Sequence, residues 1–349
     1  MKSELIEELC QGRGLSVSSY AELISSCTER IAAELADIAV RECSRVYGNA
    51  IYTRGLIEFT NHCKNDCFYC GLRAGNVECR RYRLSRRTIV KCADRGYDSG
   101  IRTFVLQGGE DPALTDKTLC NIVYDLKWTH PDCAVTVSVG ERSRESYREL
   151  RAAGADRYLL RHETARPEHY RRLHPRSMSY DVRMRCLSDL RELGFVVGAG
   201  FMVGSPYQTP RELATDLKFI EEFKPDMCGI GPFVPHHATP FARFAGGTAE
   251  LTCFILSMIR IICPSILLPA TTALESIEAD GYERGILSGA NVVMPNLTPE
   301  NVRDNYEIYD GKTSMDGGSA ESLRMLGERM LAIGKRVVVD RGDPLSEVA

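Results

Sequence analysis

The chain has 349 residues, 44% of them hydrophobic and 26% charged, with a formal net charge of −3. That length suits one α/β barrel, and the composition is ordinary for a globular protein. The charge argues against nucleic acid as a partner, no apolar run is long enough to span a bilayer, and the opening MKSELIEELCQGRG lacks the apolar stretch of a secretory signal. These readings exclude a membrane partner and set a cytoplasmic expectation. In that setting the fourteen cysteines are expected as free thiols. Cys27, Cys92, Cys120, Cys186, Cys228 and Cys253 lie singly in helix-like or strand-like runs and read as small buried hydrophobes.

Residues 1–50 read as a helical extension, with apolar residues at helical spacing through Ala32–Val40. The chain then alternates. Candidate strands are Leu56–Phe59, Thr103–Leu106, Ala134–Val139, Tyr158–Arg161, Val196–Phe201, Met227–Ile230, Ile266–Pro269 and Asn291–Met294. Candidate helices between them are Arg86–Asp98, Thr115–Lys127, Ser143–Ala153, Tyr180–Leu193, Pro210–Glu222 and Ala249–Ile262, several ending at a glycine such as Gly100, Gly154 or Gly194. Eight β–α repeats predict a parallel sheet closed as a (β/α)8 TIM barrel over 51–300, with 301–349 as a C-terminal segment packed on it. An open doubly wound sheet would carry a dinucleotide glycine fingerprint in its first β–α turn, and here that turn holds cysteines.

Chemistry in such a barrel collects at the C-terminal strand ends. Cys63, Cys67 and Cys70 follow the first candidate strand, and Gln107-Gly108-Gly109-Glu110 follows the second. Arg161-His162-Glu163-Thr164 ends the fourth, Gly198–Gly204 lines the fifth, His236-His237 follows the sixth and Thr271-Thr272 the seventh. His162, His236 and His237 can serve as ligands or as hydrogen-bond partners.

Cys63, Cys67 and Cys70 admit three readings. Zinc would want a fourth protein ligand and a second C-x2-C pair, which the chain lacks. A redox C-x2-C pair leaves Cys63 without a role. A cluster with three thiolate ligands uses all three and keeps one iron open, unlike the four-thiolate clusters of electron transfer. The spacing C-x3-C-x-aromatic-C, with Tyr69 as the aromatic, resembles the signature of radical S-adenosylmethionine (SAM) enzymes. Gln107-Gly108-Gly109-Glu110 resembles their GGE motif, where glycine lets the backbone approach SAM closely. Gly198–Gly204, with Met202, and Gly229-Ile230-Gly231 read either as adenine-facing backbone or as close barrel packing. Arg161, Glu163 and Arg183 read either as a fork for the SAM carboxylate or as a surface salt bridge.

The segments LIEFTNHCKNDCFYCGLR, RYRLS, VLQGGEDP, GADRYLLRHETA, GAGFMVGSPYQT, GIGPFVPHHATP, LPATTALESI and GANVVMPNLTP together resemble the HydE family, radical SAM maturases of [FeFe]-hydrogenase, from about Tyr52 to about Lys312. The resemblance implies a [4Fe–4S] cluster on Cys63, Cys67 and Cys70. It implies SAM held by Arg161, Glu163 and Arg183, with Met202 and Tyr306 beside it, and a barrel interior lined by Thr136, Arg161, Thr271 and Thr272. It further implies an iron–cysteine complex carrying CO and CN as substrate, supplied by HydG, with the product passed to HydF. The stretch KTSMDGGSAESL has no cysteine where many family members hold a second cluster, so a single cluster is expected. The competing expectations are a methylornithine synthase-like radical SAM mutase and, in another class, a non-catalytic Fe–S or zinc protein.

Overall fold

The computed structural model describes residues 2–12, 14–313 and 315–345. Its strands are β1 (Ala50–Thr53), β2 (Gly55–Thr60), β3 (Thr103–Gly108), β4 (Ala134–Ser138), β5 (Arg157–Leu159), β6 (Val196–Ala199), β7 (Met202–Val203), β8 (Met227–Cys228), β9 (Gly231–Pro232), β10 (Pro269–Ala270), β11 (Val292–Val293) and β12 (Arg336–Val338). β2, β3, β4, β5, β6 and β8 pair in that order, every pair parallel. A parallel bridge from Met227 to Leu267 carries the sheet to β10, and β10 pairs with β11. The bridge from Leu56 to Asn296 returns it to β2. The ring therefore closes as an eight-position parallel barrel, the architecture that the β–α alternation predicts.

Strand pleating sorts the side chains. Ile57, Phe59, Phe104, Leu106, Val135 and Val137 face outward and pack with Ile89, Ala93, Leu119 and Val123 of the surrounding helices. The alternate positions, among them Glu58, Gln107 and Thr136, point into the barrel. Ser85, Thr115, Ser143 and Thr248 each cap the helix that follows by accepting a backbone N–H from its first turn, a contribution of about 1 kcal/mol apiece. Gly100, Gly154 and Gly194 end helices at φ of 94°, 106° and 75°.

Three helices, Lys2–Cys10, Val17–Ser25 and Glu29–Tyr47, pack against the outer helices Pro210–Phe223 and Ala249–Ile262. The C-terminal tail closes the lower end of the barrel. Thr103 Oγ1 donates to the Arg341 carbonyl at 2.7 Å, and the fully buried Arg157 donates to the same carbonyl and to Asp343. The mouth at the C-terminal strand ends is left for chemistry.

Several details depart from expectation. The run Val196–Phe201 breaks at Gly200 (φ 153°), where an added Cβ would stand 2.1 Å from the Gly229 carbonyl oxygen. Short strands β1 and β12 pair with each other, although neither stands out in the sequence. Helices Pro167–Leu173, Thr272–Ile277, Gly281–Ile286 and Ala320–Ala332 lie outside the expected set. Cys92, Cys186 and Cys228 are buried and Cys120 and Cys253 half-buried, but Cys27 is exposed, because it lies in the open turn between two outer helices. Among the described residues no helix is long and apolar enough to cross a membrane.

Candidate active site

The loop after β2 carries Cys63, Cys67 and Cys70, all half-buried. Arg81 is its clamp, donating to the carbonyls of Asn61 (2.5 Å), Leu72 (2.9 Å) and Arg73 (2.7 Å). Asp66 receives Arg73 and the Gly75 amide. Gly109 lets β3 meet this loop: a Cβ there would lie 2.4 Å from the His62 carbonyl oxygen and 2.7 Å from Cys63 Cβ. Gly71 is pressed as closely against the Glu307 carbonyl and the His236 ring. The Cys67 thiol faces the Met178 thioether at 3.6 Å.

Burial pushes all three thiols up, Cys70 to about 12, and Cys67 and Cys70 are raised further by their neighbouring cysteines. A metal must therefore displace their protons. The thiols do not converge on one ion. Among the described residues, the group of three His, Cys, Asp or Glu ligand atoms lying within 4.8 Å of one another is His236, His237 and Asp310. Thiolates sharing one zinc would sit about 4 Å apart, given Zn–S bonds of about 2.3 Å. At least one pair of the three thiols therefore lies further apart than one zinc would hold it, which a larger cluster allows.

The histidine group is a hydrogen-bond cluster. His236 Nδ1 accepts the Ala238 N–H at 3.0 Å, so its neutral ring carries the proton on Nε2 and presents no lone pair to Asp310. His237 Nδ1 donates to Asp310 at 2.7 Å.

Tyr69 donates its hydroxyl to His174 Nε2 at 3.1 Å, while His174 Nδ1 donates to the Tyr170 carbonyl. Burial lowers the His174 pKa to about 3, so the ring is neutral and that tautomer is fixed. Gly108 and Gly109 end β3. The Glu110 carboxylate accepts the Glu141 N–H at 2.9 Å and pairs with Lys64 at 3.3 Å, and Gly140 (φ 75°) makes room for its stem.

Across the mouth, Arg161 and Glu163 approach to 3.0 Å. Arg161 Nη2 and Glu163 Oε2 are the atoms of that ion pair, and Arg161 Nε is buried without a hydrogen bond. Glu163 holds a left-handed backbone (φ 64°), a strain of order 1–3 kcal/mol that persists where the surroundings over-determine it. Arg183 is buried and occupied, donating to Glu141 Oε1 and to the Arg161 carbonyl, both at 2.6 Å. Inside the barrel Thr136 Oγ1 and Thr271 Oγ1 are also buried without partners. Thr272 opens the helix Thr272–Ile277. Met202, Ile230 and Tyr306 are buried, and Tyr306 has Glu58 and Gln107 as polar neighbours. Buried polar atoms are nearly always satisfied. Arg161 Nε, Thr136 Oγ1 and Thr271 Oγ1, which lack hydrogen bonds, together with the glycine-opened backbone, suit a polar ligand in the mouth and interior.

Sequence reasoning missed Lys312, whose ammonium donates to Glu58 Oε1 (2.6 Å) and to the Tyr306 carbonyl (3.0 Å). It gave no role to Arg81, which it held only within RYRLS, or to His174. Long arginines and buried histidines are the residue types most able to do such work, but nothing near them in the sequence marks their partners.

A parallel barrel with a three-cysteine loop after its first strand defines a radical SAM enzyme, and residues 57–220 match the Radical SAM superfamily. The [FeFe] hydrogenase maturase subunit HydE of Thermotoga maritima is 45% identical over 272 residues, 78% of this chain and 77% of that protein. The chain belongs to the HydE family. The 3-methylornithine synthase of Methanosarcina acetivorans is 26% identical over 309 residues, 87% of this chain and 86% of that protein. A crystal structure of methylornithine synthase superposes with a TM-score of 0.83 at 23% identity, covering 96% of this chain and 97% of that one. The maturase HydG of Carboxydothermus hydrogenoformans gives 0.78 at 21%, covering 95% and 78%. Both structures speak for the fold. The superfamily implies a [4Fe–4S] cluster and SAM.

Proposed function

We propose that this chain takes part in assembly of the diiron subcluster of [FeFe]-hydrogenase, acting on an iron–cysteine complex with CO and CN ligands inside the barrel. The observation that carries the reading is one barrel holding both a three-thiol loop and the buried atoms Arg161 Nε, Thr136 Oγ1 and Thr271 Oγ1, which lack hydrogen bonds. Identity of 45% to a HydE maturase supports the choice of reaction. On this reading HydG supplies the substrate and HydF receives the product. The helical extension 1–50 and the segment 301–349 flank a barrel unit of 51–300.

Cys63, Cys67 and Cys70 would hold a [4Fe–4S] cluster with one open iron. Bound SAM and this cluster supply a one-electron cleavage to methionine and a 5′-deoxyadenosyl radical. The chain's own residues do the rest. Arg161 offers a guanidinium fork matched to the SAM carboxylate, and Glu163 an acceptor matched to its amino group. Arg183 holds the Arg161 carbonyl and Glu141 in place. Tyr69, Gln107, Gly108, Gly109, Glu110, Met202, Ile230 and Tyr306 line the SAM side. Thr136, Thr271 and Thr272 face the substrate side with Arg161. Apolar Met202 and Ile230 keep water from a radical.

The test is reconstitution of hydrogenase maturation with HydG and HydF, in which this chain replaces the HydE component. Active hydrogenase is the expected result. A chain that cleaves SAM yet leaves hydrogenase inactive and the HydG product unchanged would overturn the assignment of substrate.

A further inference from the structure

The turn after β5 is held from behind by two buried titratable side chains that the chemistry above leaves unused. His162 and Asp216 have no exposed side-chain surface, and His162 Nε2 lies 3.4 Å from Asp216 Oδ1. His162 Nδ1 accepts the Gly200 N–H at 3.3 Å, so a neutral ring carries its proton on Nε2, turned toward Asp216. Asp216 Oδ1 accepts the Ala165 N–H. The ring packs between Phe201 and Phe219. His162 Nε2 and Asp216 Oδ2 form no hydrogen bond of ordinary geometry.

Glu163 sits between these two anchors. Its N–H donates to the Gly200 carbonyl at 3.0 Å, the same residue whose amide holds His162. The anchors tie residue 162 to the break between β6 and β7, and residue 165 to the helix Pro210–Phe223. A glycine at 163 would make this turn without strain. The chain instead keeps a glutamate there in left-handed backbone, with its Oε2 3.0 Å from Arg161 Nη2.

We propose that His162 and Asp216 are positioning residues that force the 161–165 turn into the strained form in which Arg161 and Glu163 face the mouth together, ready for the α-amino acid end of SAM. The inference rests on the SAM reading above. The pair works uncharged. Burial lowers His162 to about 3 and raises the Asp216 carboxyl well above its ordinary range. Burial outweighs the groups that oppose it, Glu163 beside His162 and the Ala165 N–H and His169 beside Asp216, while Arg161 and Arg183 disfavour a proton on His162 and Glu212 and Glu163 disfavour ionised Asp216. An ionised Asp216 would add a second buried negative charge beside Glu163.

The test compares Asp216→Ala, Asp216→Asn and His162→Ala in cluster-loaded enzyme. SAM binding is read by calorimetry and by the SAM-induced change in the electron paramagnetic resonance of the reduced cluster. Losing preorganisation of a charge-assisted fork is expected to weaken SAM about tenfold or more in Asp216→Ala and His162→Ala, with iron and sulfide content unchanged. The uncharged isostere Asp216→Asn is expected to restore affinity to within about threefold of the parent. Alanine variants that bind SAM as tightly as the parent overturn the proposal, as does an Asp216→Asn variant no better than Asp216→Ala. If the alanine variants fail to fold, Asp216→Asn against Asp216→Ser makes the same comparison with smaller changes. A parent enzyme that binds no SAM would sink the underlying reading instead, so the two failures are distinguishable.

Discussion

Gly109 shows how much one hydrogen atom decides. Its missing Cβ is the space in which the His62 carbonyl and Cys63 sit. Gly109→Ala must push the cysteine loop away from β3, because both obstacles belong to the backbone or to the Cys63 stem. Overpacking of this kind costs about 1–3 kcal/mol. The variant should therefore melt lower and bind less iron per chain after reconstitution. Full iron loading at an unchanged melting point would show that the loop has slack which the static geometry hides. The same reasoning explains why the cysteine motif was legible in sequence while its support was not. Spacing reveals three thiols on one turn, whereas Arg81 reaches that turn through backbone carbonyls, which every residue type possesses.

At the scale of elements, strand β2 and the C-terminal segment are joined by a buried charge. Glu58 is fully buried inside the barrel, where it takes Lys312 and Asn296, and Lys312 also lies over the Tyr306 ring. Removing one partner of such a pair strands the other. Lys312→Met should cost about 3–5 kcal/mol in urea unfolding, and adding Glu58→Gln should return part of it. A single variant as stable as the parent would mean that the segment is not latched through this pair. The helices of the barrel were legible because Ser and Thr caps, apolar periodicity and terminal glycines agree with one another. Arg86–Asp98 and Ala249–Ile262 were expected with the bounds observed. The strands β10 and β11, two residues each, and the unexpected β1 and β12 owe their pairing to neighbours far along the chain. So does the Glu58–Lys312 link, which spans 254 positions. A local pattern carries no information about such contacts.

At the scale of the molecule, buried neutral histidine makes stability depend on pH with a defined sign. The unfolded chain takes up a proton at His162 near the ordinary value of 6.5, and the folded chain resists until about 3. This contribution is complete above 6.5 and is lost as pH falls from there toward 3. Asp216 acts in the opposite sense. Its carboxyl is raised by burial, so stability is gained as pH falls through the folded value toward the ordinary 3.8. Single variants separate the two: melting curves of His162→Gln should lose less stability on acidification than the parent, and those of Asp216→Asn should lose more. Parallel curves for all three proteins would mean that neither group is held as its burial implies. The closed barrel, unlike these couplings, was readable from eight β–α repeats, since strand number alone favours closure.

The central claim is that Cys63, Cys67 and Cys70 hold a cluster that cleaves SAM. The most direct measurement is anaerobic reconstitution of the parent and of Cys67→Ala, followed by iron and sulfide analysis and assay of 5′-deoxyadenosine after dithionite. The account predicts about four iron and four sulfide per parent chain, SAM-dependent nucleoside from the parent, and neither in the variant. A parent that binds zinc in place of iron, or a Cys67→Ala variant that yields the nucleoside at the parent's rate, would contradict it.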